Sequence, residues 1–125
     1  MLDQIKQQIK DECATSAGAP AWFYDAHLLE VERQAEFLLS KLPEADREAV
    51  MLGVWLHDLQ RVRDIKGDHE EAGAAEAEKV LRQYDYSPET IAKVQSIILS
   101  HTCDKNQPAS LEGRVLATAD AMAHF

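Results

Sequence analysis

The stretch "REAVMLGVWLHDLQRVRD" constrains the fold of this chain more than any other part of it. Val50, Met51, Val54, Trp55 and Leu59 form an apolar face so wide that the helix carrying them must be central and the most enclosed. The last turn of that helix carries His57 and Asp58. A polar pair closing a buried run needs a partner, because an imidazole or carboxylate removed from water is costly without donors or a cation. Adjacent helical positions point about 100° apart. The two side chains can therefore share one ion only off the helix end, where the chain leaves helical geometry.

The remaining segments also read as helix and loop. Leu2 to Cys13 is amphipathic, with Asp3 as a candidate N-cap, and is expected to be short and peripheral. "ATSAGAP" breaks the pattern as a loop. A second helix runs from about Trp22 or Asp25 to Leu42, with Leu28, Val31, Ala35, Leu38, Leu39 and Leu42 on one side. Pro43 precedes the central helix. "LQRVRDIKGDHEE" then reads as a loop entering a helix capped by Asp68, whose Ala72, Ala75, Val80 and Leu81 suggest a close helix contact. Ser87, Pro88 and Glu89 start a fifth helix with Ile91, Val94, Ile97, Ile98 and His101 on one face. "LEGRVLATADAMAHF", entered through Ser110, is the last. The fold class is all-α, a bundle of about six helices, with residues 1–125 as one domain: 1–20 a peripheral helix and loop, 21–125 the core.

Several candidate ligands sit at helix ends. His27 lies one turn before Val31 on the apolar side; His69 is in the first turn after Asp68; His101 closes the fifth helix; Asp120 is flanked by "ATA" and "AMA". Each has a plain structural reading, a packed or dipole-stabilised histidine or a hydrogen-bonded carboxylate. Together, His27, His57, Asp58 and Asp120 offer two imidazoles and two carboxylates from three helices. That mixture suits a divalent ion with open water positions, and the absence of thiolates in it argues against a structural zinc site. Bound water with a pKa lowered towards about 7 would serve hydrolysis, and a second ion held by His69 and His101, with Asp58 bridging, would extend the same chemistry.

Composition narrows the partners. The net charge of −9 disfavours nucleic acid and anionic membrane surfaces, while leaving room for a phosphorylated small molecule if cations reverse the local field. Cys13 and Cys103 form no CxxC pair, no stretch approaches a membrane span, and the chain reads as cytoplasmic.

His27, the adjacent His57-Asp58 and the later Asp120 resemble the H…HD…D signature of the HD-domain metal-dependent phosphohydrolase superfamily, from about Asp25 to the C-terminus. "HDLQR", "GDHEEAGA", "ILSH" and "ATADAMAHF" look like small stand-alone bacterial members. The resemblance implies an all-helical, HD-like fold. It implies one or two divalent ions (Mn, Co, Ni, Mg, Fe or Zn), with His27, His57, Asp58 and Asp120 as ligands to the first and His69 and His101 as second-ion ligands or phosphate contacts. Asp58 would also orient water, and Arg61 would hold substrate phosphate, with Lys66 and Lys105 as further basic candidates. Gln60 stands where the family often has glycine. Arg61 and Val62 replace the acidic pair of the alarmone-hydrolase branch, and no GYP-type extension marks the cyclic-di-GMP branch. The expected activity is hydrolysis of a phosphomonoester or phosphoanhydride, of a nucleotide by preference. The alternative is a catalytically silent nucleotide-sensing or partner-binding module. The family usually continues past the last aspartate, so the C-terminus is expected to be short and a homo-oligomer could complete the pocket.

Overall fold

The computed structural model describes residues 1–101 and 110–123, without the side chain of His69. Among these residues all regular structure is helical: α1 (Leu2–Ala14), a π-helical turn (Phe23–Leu28), α2 (Leu29–Leu39), α3 (Arg47–Leu56), α4 (Leu59–Val62), α5 (His69–Gln83), α6 (Pro88–Leu99) and α7 (Leu111–Ala123). Six longer helices and the all-α class match the expectation.

Helix α3 is the axis of the fold. Every residue from Ala49 to Leu56 is buried, so the helix has no solvent face, and α1, α2, α5, α6 and α7 all pack against it. Its start is set by Asp46, whose Oδ1 accepts the Ala49 N–H at 3.1 Å. Ser87 caps α6 in the same way, accepting from the Thr90 N–H, with Pro88 in the first turn. Asp68 caps α5 by accepting from Glu71.

Five local expectations change. The second helix is not uniform: Phe23–Leu28 is wound as a π turn, with the Leu29 N–H donating to the Tyr24 carbonyl, and α2 stops at Leu39 ahead of Pro43 rather than reaching Leu42. His57 and Asp58 do not occupy the last turn of α3; they form the break between α3 and the short α4, which occupies part of the expected loop. Helix α1 is not peripheral, since Ile5 and Ile9 are fully buried. Its start is Met1 rather than Asp3, which lies in the first turn. On α5 the packed face is Gly73, Ala74 and Ala77 rather than Ala72 and Ala75. Alanine spacing alone cannot distinguish these faces, because alanine is indifferent to burial and glycine permits the closest approach.

Arg63 fastens α1 and α5 to the segment after the His-Asp break. Its guanidinium donates to both Glu12 carboxylate oxygens, at 2.7 and 2.9 Å, and to Glu76 Oε1 at 3.0 Å. Replacing it with methionine removes the guanidinium from Glu12 and from the buried Glu76, which keeps only Lys79 at 2.7 Å. Arg63→Met is expected to lower unfolding free energy by about 2–3 kcal/mol, measured in urea. A loss below about 0.5 kcal/mol would show that the network behaves like a surface ion pair.

The loop that begins this core is also tied down. Ser16 Oγ donates to the Val62 carbonyl at 2.7 Å and accepts the Gly18 and Ala19 N–H groups. Gly18 thereby lies on the backbone of α4, so close that a Cβ there would stand 2.1 Å from the Arg61 carbonyl oxygen.

Candidate metal centre

Four side chains meet where α3 breaks. His27 comes from the π turn, His57 and Asp58 from the break, and Asp120 from α7. His57 Nε2 lies 3.2 Å from Asp58 Oδ2 and 3.5 Å from Asp120 Oδ1. His27 Nε2 lies 3.3 and 3.4 Å from the same two oxygens. Two atoms each about 2.1 Å from one ion are about 3.0 Å apart at a right angle and about 3.4 Å apart at the tetrahedral angle. The four contacts therefore have the edge lengths of a single coordination shell.

The tautomer of His57 fits the same purpose. Its Nδ1 is 2.7 Å from the Val54 carbonyl, and a carbonyl can only accept, so Nδ1 carries the proton. Nε2 is then the nitrogen that would hold a cation; it is buried and has no hydrogen-bond partner among the described residues. A bare nitrogen lone pair between two carboxylates is repelled unless a proton or a metal cation separates them. His101 is held alike, with Nδ1 donating to the Ile98 carbonyl at 2.6 Å. Its ring lies edge-on to His57 at 5.0 Å. His57, His101 and Asp120 offer ligand atoms within 4.8 Å of one another, as do His27, His57 and Asp58. His101, expected with a second ion, thus shares His57 and Asp120 with the first set. The donor set, imidazole and carboxylate without thiolate, fits a divalent cation.

Titration shows the same competition. Hydrogen bonding to Asp120 and then Asp58 raises the His27 pKa from 6.5 to about 8, against burial. Burial lowers that of His57, but the Asp58 and Asp120 carboxylates outweigh it and the net shift is upward. Burial would raise Asp120, yet the two imidazoles hold it well below the usual carboxylate range. Burial lowers His101, reinforced by neighbouring His57. Without an ion the protonated His27 contributes stability that is complete below its unfolded pKa of 6.5 and is lost as pH rises through about 8. A metal must displace that proton, so its affinity should run the opposite way. It is expected to increase at least about tenfold per pH unit as pH rises towards about 8, as measured by calorimetry. A pH-independent affinity would remove His27 from the ligand set.

The other expected residues are placed as follows. Asp120 is less enclosed than its small neighbours suggest, with its side chain 20% exposed. Arg61 is exposed, and its guanidinium carbon lies 5.7 Å from the Phe23 ring centre. Phe23 is itself 5.1 Å from the His27 ring, so Arg61 borders the centre through one intervening ring. Lys66 pairs with Asp64 at 3.0 Å. Lys105 and the His69 side chain lie outside what the structure describes, although His69 opens α5. Sequence reading missed Phe23, the buried ring beside His27, and Gly73. A Cβ at Gly73 would stand 3.0 Å from the His57 carbonyl and 2.9 Å from Gln60 Oε1, so this glycine lets α5 press on the break itself. Only its place inside the "GDHEEAGA" segment signalled it. A surface cavity of about 650 Å³ lies elsewhere, against Gln4, Gln8 and Tyr84, and no imidazole lines it.

None of the described helices is long and apolar enough to cross a membrane. No curated protein and no solved structure matches the chain. A family model described as "HD domain" matches residues 24–124, a span holding all six of the histidines and aspartates singled out above. By that match over most of its length, the chain belongs to the HD-domain superfamily of metal-dependent phosphohydrolases.

Proposed function

We propose that this protein hydrolyses a phosphomonoester or phosphoanhydride bond of a small molecule, a nucleotide by preference, and acts on neither nucleic acid nor membrane. The observation that carries this reading is the shell of His27, His57, Asp58 and Asp120, whose imidazole nitrogens each stand 3.2–3.5 Å from both carboxylates. A divalent ion bound there supplies hydroxide near neutral pH and polarises a phosphoryl oxygen.

The residues of the chain do the rest. Asp58 lies between the two imidazoles, its Oδ2 within 3.3 Å of both Nε2 atoms, and its carboxylate orients the attacking water and accepts its proton. His101 widens the cluster towards α6 and would serve a second ion or a phosphate oxygen. Arg61 meets the substrate phosphate. Arg33, Arg47, Arg63 and Arg82 each pair with a carboxylate, whereas Arg61 and Arg114 have no ion pair among the described residues; of these two Arg61 packs on Phe23 beside His27, and its fixed fork suits a phosphate. In a chain of net charge −9, an unpaired guanidinium beside the cluster supports that role.

Phosphate release from a panel of nucleotides with added manganese, cobalt, nickel or magnesium tests the reading. Release that depends on metal is expected. Stoichiometric metal with no release from any compound would overturn it and favour a silent sensing module.

A further inference from the structure

Trp22 stands immediately before the π turn and is 59% exposed. The only other tryptophan, Trp55, is buried and donates its indole N–H to Glu32 at 2.9 Å. Phe37, also exposed, is covered by Lys41 at 5.1 Å from its ring. Among the described residues Trp22 has neither kind of partner; its one ring contact is Phe23, 6.4 Å away between centroids. An indole left largely in water forgoes the burial of a large apolar surface.

Its position gives that exposure a direction. Phe23 is fully buried and touches three groups at once: the His27 ring at 5.1 Å, the Arg61 guanidinium at 5.7 Å and the Trp22 indole at 6.4 Å. One hidden ring thus adjoins a metal-ligand candidate, a cation with no carboxylate partner among the described residues and an exposed indole. Two ring-to-ring steps separate Trp22 from His27, a span within reach of a nucleotide lying between base and phosphate. We propose that Trp22 is a specificity-determining residue: it stacks on the nucleobase of a nucleotide whose phosphate faces Arg61 and the His/Asp centre. Every base has a π face, so such a platform selects nucleotides over sugar phosphates and discriminates weakly between bases. This inference rests on the phosphohydrolase reading.

The test compares AMP and CMP with ribose 5-phosphate, which keeps sugar and phosphate but lacks the base. Expected in the wild-type protein with manganese is a KM for either nucleotide about tenfold to a hundredfold below that for ribose 5-phosphate. Trp22→Ala should erase that difference by raising the nucleotide KM, leave kcat and the ribose 5-phosphate KM unchanged, and Trp22→Phe should retain most of it. With metal removed by a chelator, AMP should quench the part of the fluorescence that Trp22→Phe removes, and ribose 5-phosphate should not. Equal KM values for AMP and ribose 5-phosphate in the wild type would overturn the stacking role while leaving hydrolysis standing. So would a Trp22→Ala protein that differs in mass in solution, which would assign the indole to a contact between copies. If no compound binds or loses phosphate with any metal, the hydrolase reading itself falls.

Discussion

Asp58→Asn is expected to abolish metal-dependent phosphate release, by about a thousandfold or more, while the protein remains folded. Asparagine keeps the shape of the side chain and its place as the residue opening α4. What it removes is the charge that sits 3.3 Å from His27 and 3.2 Å from His57. An ion that stabilises transition-state charge by several kcal/mol is lost or misplaced with it, and about 4 kcal/mol corresponds to three decades of rate. The same variant should show a second change that needs no substrate. Asp58 is one of the two carboxylates raising the His27 pKa to about 8, so in the metal-free variant that value should fall towards 6.5. Proton NMR of the imidazole resonances would follow it. Retained activity with unchanged metal content would show that the cluster is not the catalytic centre.

Gly18→Ala should be the most destabilising of the single-methyl additions. The added carbon would stand 2.1 Å from the Arg61 carbonyl oxygen and 3.0 Å from the Asp64 Cα, both backbone atoms that no rotamer change can move aside. Asp64 already adopts a left-handed φ of 56°, so the turn that ends α4 has little freedom to yield. The loop must lift instead, and the Ser16 hydrogen bond to Val62 goes with it. A loss of about 3 kcal/mol is expected, or about 10 °C in Tm. Ser16→Ala, which removes the bond and adds no bulk, should cost only about 1 kcal/mol. If the two variants proved equal, the loop would be held by its hydrogen bond and not by its fit against α4.

The contrast between these residues shows what the sequence makes legible. The burial of α3 and the inward faces of α6 and α7 follow from periodicity, because Ile91, Val94, Ile97 and Ile98 can share a face only in a helix. His57 and Asp58 stood out because a polar pair ended an apolar run. Gly18 and Gly73 did not, since a glycine needed for close approach looks the same as one that merely ends a helix. Arg63 and Glu76 were equally hidden: in a segment dense with charge, nothing local distinguishes a carboxylate that is 5% exposed from those on a solvated side. Trp22 read only as a helix start, because exposure depends on what the rest of the chain leaves uncovered.

The π turn has a consequence for the register of the chain. A helix wound five residues to a hydrogen bond holds one residue more than an α turn spanning the same bond, and such a bulge behaves as a single-residue insertion that the helix has absorbed. Deleting Ala26 should let residues 23–28 relax into continuous α-helix with α2. The core contacts of Val31, Ala35 and Leu39 would survive, and every side chain before the deletion would turn by about 100°. Trp22 and Phe23 would rotate away from His27 together with Tyr24 and Asp25. The chain length of this one turn, as much as the ring of Phe23 within it, sets whether the exposed indole and the imidazole lie on one side of the helix.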